Sequence, residues 1–201
     1  MKVARRMVRE VITIAPSATV NDALHLLHAS NIRHLPVVDR ETFVGFVSES
    51  DLRQVLLLPG GNEILIKDVM NTDPVTIGPE ENLEEAARRI YQHKTDGLPV
   101  LEDGKLVGIV TVVDILAAFI EIMGVLQASS RIDIVLGDDA EAFESVSRII
   151  KKKGGDILSV GMGDAPAPDK KYYFFRLKKC DVDPIAESLR KGGYEVMSVI
   201  H

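Results

Sequence analysis

The chain has one cysteine, Cys180, among its 201 residues, so no disulfide can close within it. A reducing compartment suits such a sequence, and a cytoplasmic location is expected. No apolar run follows the basic residues of the opening MKVARRMVRE, so no signal peptide is expected there. No apolar stretch stays uncharged across a membrane's thickness either. Residues 106–126 come nearest, but Asp114 and Glu121 interrupt them. A basic excess is also missing: 24 Lys and Arg face 30 Asp and Glu, a net charge of −6. Residues 1–63 hold seven of each sign, residues 64–130 five basic and eleven acidic, and residues 131–201 twelve of each. Without a basic stripe the chain is a poor match for a nucleic-acid backbone, and no nucleic-acid or membrane partner is expected. A free nucleotide needs only a local pocket and is not excluded. Metal and catalytic signatures are thin. His25, His28, His34, His93 and His201 show no ligand spacing with Cys180, and no histidine lies near that thiol in sequence. His25 and His28 are three apart on a helix, where exposure is expected of them more than metal binding. No catalytic residue, no metal and no enzymatic activity are expected.

What the sequence does hold is a repeat. Residues 34–51 read HLPVVDRETFVGFVSESD and residues 97–114 read GLPVLEDGKLVGIVTVVD. Every correspondence has the offset 63: Leu35 with Leu98, Gly45 with Gly108, Ser48 with Thr111, Asp51 with Asp114, and upstream Met7 with Met70 and Thr13 with Thr76. One supersecondary unit is duplicated, and each copy needs its neighbour to cover its apolar face. Hydrophobic residues make up 46% of the chain, enough for a sizeable core.

Each copy reads β-α-β-β-α. In the first, residues 11–14 form a short strand ended at Pro16. Thr19 caps a helix with Val20, Ala23, Leu24 and Leu27 on one face, and Asn31 closes it. Residues 35–38 and 43–47 make a hairpin, Ser48 opens a second helix, and Pro59-Gly60-Gly61-Asn62 breaks it. In the second, residues 75–77 are a strand, and Leu83, Ala86, Ala87 and Ile90 line a helix. Strands 98–101 and 106–110 turn at Glu102-Asp103-Gly104-Lys105, and residues 112–123 form the last helix. The expected domains are 1–63 and 64–126, a linker at 127–130, and a third unit at 131–201. That third unit reads β-α-β-β-α-β: strands at 132–136, 157–161, 172–177 and 194–200, a loop at 163–168, and Pro184 at the start of its second helix. The order is that of a ferredoxin-like sandwich. About 70 residues make a thin core, so pairing with another copy is expected. The fold class is therefore mixed α+β.

Ser48-x-x-Asp51 and Thr111-x-x-Asp114 each sit where a strand becomes a helix. Two readings remain open for them. One is a capping box, with hydroxyl and carboxylate satisfying the first amides. The other is a ligand site, in which the helix start and hydroxyl receive a phosphate and the carboxylate accepts from ribose hydroxyls. Arg33-His34 precedes Leu35, whereas Asp96-Gly97 precedes Leu98. An arginine grips phosphate and an aspartate repels it.

The paired pattern LPVVD…GFVSESDL and LPVLE…GIVTVVDIL resembles tandem CBS domains, the Bateman module, over residues 7 to about 124. That resemblance implies two copies packed with pseudo-twofold symmetry around two clefts for adenosine-containing ligands: AMP, ADP, ATP or S-adenosylmethionine. It implies no obligatory cofactor, only a regulatory ligand. It places Ser48 and Thr111 on phosphate, and Asp51 and Asp114 on ribose. Adenine would meet Thr13, Ile32 and Leu35 in one site and Thr76, Thr95 and Leu98 in the other. With their neighbours, the first site comprises Thr13, Ile32, Arg33, His34, Leu35, Pro36, Ser48 and Asp51. The second comprises Thr76, Thr95, Asp96, Gly97, Leu98, Pro99, Thr111 and Asp114. The site with Arg33 is expected to prefer phosphorylated nucleotides, and the other to bind more weakly or favour an uncharged tail.

Residues 131–201 resemble an ACT domain, which implies dimerisation and, in many members, amino-acid binding. The usual Pro-Gly turn is replaced here by Gly137-Asp138-Asp139-Ala140, whose carboxylates oppose that use. The combination is similar to the acetoin-utilisation B-type proteins. It implies a homodimeric, non-catalytic regulator acting on a protein partner. The alternative is an amino-acid sensor working through the ACT-like unit, with the CBS pair as scaffold.

Overall fold

Met7 and Met70 place their sulfurs directly against two equivalent glycines, and this contact explains how the duplicated halves are joined. The computed structural model describes residues 1–137, 140–164 and 170–201. The chain divides into two compact units, Met1–Leu116 and Ala117–His201.

In the first unit, the first copy contributes α1 (Val20–Ser30), β1 (His34–Asp39), β2 (Thr42–Ser48) and α2 (Glu49–Val55). The second contributes α3 (Leu83–His93), β3 (Gly97–Glu102), β4 (Lys105–Thr111) and α4 (Val112–Ile122), which runs on past Leu116. Each strand pair is an antiparallel hairpin with one irregularity, after Val37 and after Val100. The expected strands at 11–14 and 75–77 shrink to single parallel bridges, Ile14 to Val37 and Ile77 to Val100. Proline limits the first of them, since Pro16 has no N–H to continue a ladder.

Thr19 caps α1 as expected. Its hydroxyl accepts from the Asp22 N–H at 3.1 Å, and the Asp22 carboxylate accepts from the Thr19 N–H at 3.0 Å. Val20, Ala23, Leu24 and Leu27 are its buried face, packed with Leu35, Val37, Val47 and Leu52. Asn31 closes the helix in the left-handed region, φ 51°. The second copy buries Ile77, Leu83, Ala86, Ile90, Leu98, Val100 and Val110 in the same places.

The boundaries of the sequence repeat are not those of the packed lobes. The segment before each copy crosses to the other one. The Val3 N–H donates to Glu81 O at 2.9 Å, and Val8 and Ile109 exchange two backbone hydrogen bonds, so residues 1–8 belong to the second lobe. Reciprocally, the Ile66 N–H donates to Ala18 O at 2.9 Å, and Phe46 and Asn71 exchange two, so residues 64–71 belong to the first. Val3 and Ile66 are wholly buried there, a contribution of about 1.5–3 kcal/mol each. The crossing brings Met70 Sδ over Gly45 and Met7 Sδ over Gly108. A Cβ would lie 2.6 and 2.7 Å from those sulfurs, and only glycine leaves room.

In the second unit, β5 (Ser129–Gly137), β6 (Ile157–Asp164), β7 (Lys170–Lys178) and β8 (Glu195–Ile200) form one sheet in the order β6-β7-β5-β8. All its pairings are antiparallel. With α5 (Ala140–Lys152) and α6 (Asp183–Lys191) this is the ferredoxin-like arrangement expected from element order. Ile132, Ile134 and Leu136 alternate inward against Val146, Ile150, Ile185 and Leu189. Several strand ends differ from expectation, two of them by three residues. Ser129 and Ser130, expected as linker, already pair with Lys178 and Leu177. The buried Ser130 hydroxyl fixes this, donating to Cys180 O at 3.0 Å. Residues 163 and 164, expected in a loop, belong to β6, which continues to Asp164. Residues 165–168 of that loop, and Asp138 and Asp139 of the variant turn, lie outside the described residues. Among the described residues no helix is long and apolar enough to cross a membrane.

Candidate functional site

The two helix starts are built alike. The Ser48 hydroxyl donates to Asp51 Oδ2 at 2.6 Å and accepts from the Asp51 N–H at 3.2 Å. The Thr111 hydroxyl donates to Asp114 Oδ2 at 2.6 Å, and the Thr111 N–H donates to the same oxygen at 2.8 Å. Both motifs therefore cap their helices. Neither is sealed in: each borders an open hollow.

The first hollow, of about 370 Å³, is lined by Ile32, Arg33 and His34 together with Thr111 and Asp114. The second, of about 390 Å³, is lined by Ser48 and Asp51 together with Thr95, Asp96 and Gly97. The hollows are thus composed crosswise. Each takes its helix start from one copy and the stretch before Leu-Pro-Val from the other. The exchanged segments explain this. Residues 8–12 run from Ile109 in one lobe back to Ile14 in the other, and form a wall of the first hollow. Residues 71–75 run from Phe46 to Ile77 and wall the second. A smaller hollow of about 200 Å³ brings Arg33 and His34 beside Ser48, as the sequence grouped them, with Glu49, Ser50, Arg53 and Asp96.

All twelve residues lining the first hollow have their counterpart, 63 positions on or back, lining the second. The chemistry differs between partners. Val8, Val11, Ile32, Ile109 and Val113 of the first correspond to Asn71, Pro74, Thr95, Phe46 and Ser50 of the second. Arg33 corresponds to Asp96, and Asn31 to Lys94. The first hollow is mostly apolar, with the Arg33 guanidinium beside the carboxylates of Glu10 and Asp114; the second is more polar, with the carboxylates of Asp51, Asp73 and Asp96 beside the Lys94 ammonium.

Ten of the residues expected at the sites line these two hollows: Ile32, Arg33, His34, Thr111, Asp114, Ser48, Asp51, Thr95, Asp96 and Gly97. The others do not. Leu35 and Leu98 are wholly buried in the lobe cores. Pro36 and Pro99 are buried and spend their carbonyls on the Ile14 and Ile77 N–H groups. Thr13 is exposed, and the Thr76 carbonyl accepts from Arg89 Nη1 at 2.7 Å. Sequence reasoning missed Val8, Glu10, Asn71, Asp73 and the aromatic wall at Phe46. The signal for the first four was the offset of 63, applied to residues ahead of the first strand of each copy; Phe46 instead lies on β2, at the place Ile109 holds on β4.

His34 stands apart electrostatically. It is 7% exposed and stacks on Phe46, with ring centroids 5.6 Å apart and planes 7° apart. Burial holds its imidazole below the ordinary histidine range. Arg33 acts in the same direction, while Asp96 and Asp51 oppose it. On the outer face of α2, the Glu49 carboxyl is held below its ordinary range by hydrogen bonds from Arg53 and His28.

A duplicated helix-hairpin unit with exchanged leading segments and two related hollows defines a paired-domain fold with an internal twofold repeat. The CBS domain family profile matches residues 3–58 and 66–121, and the chain belongs to the CBS-domain family. Among solved structures it is similar to one from Vibrio cholerae ascribed to an acetoin utilization protein (AcuB). The two are 35% identical, with a TM-score of 0.57, over 62% of this chain and 94% of that one. It is also similar to CBSX2, solved in complex with AMP: 34% identity, TM-score 0.55, 60% of this chain and 97% of that one. A third is the CBS domain pair of protein MJ0100, solved with 5-methylthioadenosine and S-adenosyl-L-methionine. It shows 27% identity and a TM-score of 0.55, over 59% of this chain and 95% of that one. Among curated proteins, inosine-5'-monophosphate dehydrogenase of Korarchaeum cryptofilum is 37% identical over 110 residues. That match takes in 54% of this chain but 22% of the dehydrogenase, so the likeness is to a minor part of that enzyme.

Proposed function

We propose that this chain is a non-catalytic sensor whose CBS pair binds adenosine-containing ligands, AMP, ADP, ATP or S-adenosylmethionine, in the two crosswise hollows. The observation that carries the reading is the hydroxyl-carboxylate pair at the mouth of each hollow, opposite a wall able to receive a base. Asp51 and Asp114 would accept from ribose hydroxyls, and Ser48 and Thr111 would turn from their caps toward phosphate. Arg33 makes the first hollow the site for phosphorylated ligands. Asp96, in the place that Arg33 holds in the first, makes the second the weaker site for phosphate or the one that favours an uncharged tail. The complexes of CBSX2 with AMP and of MJ0100 with S-adenosyl-L-methionine support both ligand types. A ligand that spans both lobes shifts their arrangement only if it prefers one of them.

The ferredoxin-like unit is read as an ACT-type dimerisation element. Leu158 and Met162 on β6 and Met197 and Ile200 on β8, all exposed, favour a homodimer in which apolar surface is covered. The wider role is regulation of a partner protein in the cytoplasm. The alternative, amino-acid sensing through the second unit with the CBS pair as scaffold, draws on its β6-β7-β5-β8 topology. One thermal-shift screen separates the two: adenine nucleotides and S-adenosylmethionine on one side, the common amino acids on the other. Stabilisation by amino acids alone defeats the nucleotide reading. Light scattering of the unliganded chain tests the dimer.

A further inference from the structure

His34 lines both of these hollows and also the smaller one that holds Arg33 and Ser48. It is 7% exposed, and its ring has no hydrogen-bond partner among the described residues. Its counterpart in the second copy is Gly97, and the two positions face each other. A Cβ on Gly97 would stand 3.4 Å from His34 Nδ1. The second copy therefore supplies no second ring, and one imidazole serves two hollows.

We propose that His34 is a ligand contact common to both hollows, and that this single ring makes their occupancy interdependent. The proposal rests on the nucleotide reading above. A neutral imidazole has one N–H donor and one acceptor nitrogen. A phosphate-bearing ligand that takes the N–H in one hollow leaves a lone pair facing the other, which disfavours a second acceptor there. A protonated ring offers two donors and removes the conflict. Arg33 just ahead of β1, Asp51 on α2 and Asp96 ahead of β3 are the charges that face it. Burial keeps the ring neutral at and above neutral pH, so the conflict is present there and relaxes on acidification.

The test uses the full chain and AMP, with calorimetry at about pH 8 and about pH 5, the lower value set well under the ordinary histidine range because burial depresses this ring's pKa. Asp114→Ala disables the first hollow and Asp51→Ala the second. At the higher pH, AMP should bind one hollow about fivefold more tightly when the other is disabled than when it is filled, with the same factor in both directions. At the lower pH the factor should fall toward one. In His34→Leu it should be near one at both pH values. In His34→Asn, whose amide presents donors on one side and an acceptor on the other but does not titrate, it should persist at both. A factor of one in the wild type at the higher pH overturns the proposal, as does a factor that His34→Leu leaves unchanged. If His34→Leu fails to fold by circular dichroism, the loss of pH dependence in His34→Asn decides. If AMP binds neither wild-type hollow, the nucleotide reading itself fails, before any His34 variant is made.

Discussion

Val8 and Ile109 exchange both backbone hydrogen bonds, at 2.9 and 3.0 Å, and so fasten the N-terminal segment of the first copy onto the second. The neighbouring glycine makes the join possible. Gly108→Ala would drive a methyl to 2.7 Å from Met7 Sδ and 3.0 Å from Val8 O. The sulfur can move but the backbone carbonyl cannot do so freely, so a loss of roughly 1–3 kcal/mol is expected. Urea denaturation of the full chain measures it. Met7→Ala in the same background should recover only the part due to sulfur.

Ser48 and Thr111 cap their helices whether or not they also bind ligand, and the two roles can be separated. Aspartate is as good an N-cap as serine. Ser48→Asp and Thr111→Asp keep an acceptor for the first amides but set it against the Asp51 and Asp114 carboxylates to which the hydroxyls donate at 2.6 Å, so a loss of about 1 kcal/mol is expected. Each places a carboxylate where phosphate would approach, so AMP affinity in the affected hollow should fall about tenfold or more. Retained affinity would mean that the hydroxyls only cap.

Arg33 and Asp96 hold equivalent places with opposite charge. Arg33→Ala should weaken AMP about tenfold, the worth of a charged hydrogen bond, while leaving adenosine affinity nearly unchanged. Calorimetry with both ligands reads the contrast. An equal loss for both would place Arg33 on the nucleoside instead of the phosphate, and unchanged AMP binding would make it a bystander.

His34 should also shape the pH dependence of folding. Burial depresses its folded pKa below the ordinary value of 6.5. Between those two values the unfolded chain binds more protons than the folded one. The stability gained from the neutral ring is complete above the ordinary pKa and is lost as pH falls through it toward the folded value. Thermal midpoints measured between about pH 5 and pH 8 should show this decline in wild type and a shallower one in His34→Leu. An identical slope in both would assign it to other groups.

Much of this protein was legible from residue order. The in-register repeat announced two equivalent units, and the caps at Thr19, Ser48 and Thr111 follow from side-chain chemistry within four residues. The strands alternate inward and outward because successive side chains point to opposite faces. Hence Ile132, Ile134 and Leu136 fall inside as the pattern requires. These are local relations, decided by neighbours along the chain. The pairing of Ser48 with Thr95, or of Thr111 with Ile32, is of another kind. Nothing near residue 3 or residue 66 states that each leading segment will cross to the opposite lobe. The crossing is chosen because Val3 and Ile66 find their buried seats there, and because Gly45 and Gly108 clear a path for Met70 and Met7. Once the segments cross, each hollow must draw on both copies. Sequence alone thus determined the elements, the duplication and the chemistry available at the helix starts. The tertiary structure decided which of those groups face the same space, because long-range burial selects the partners and the repeat is silent about them.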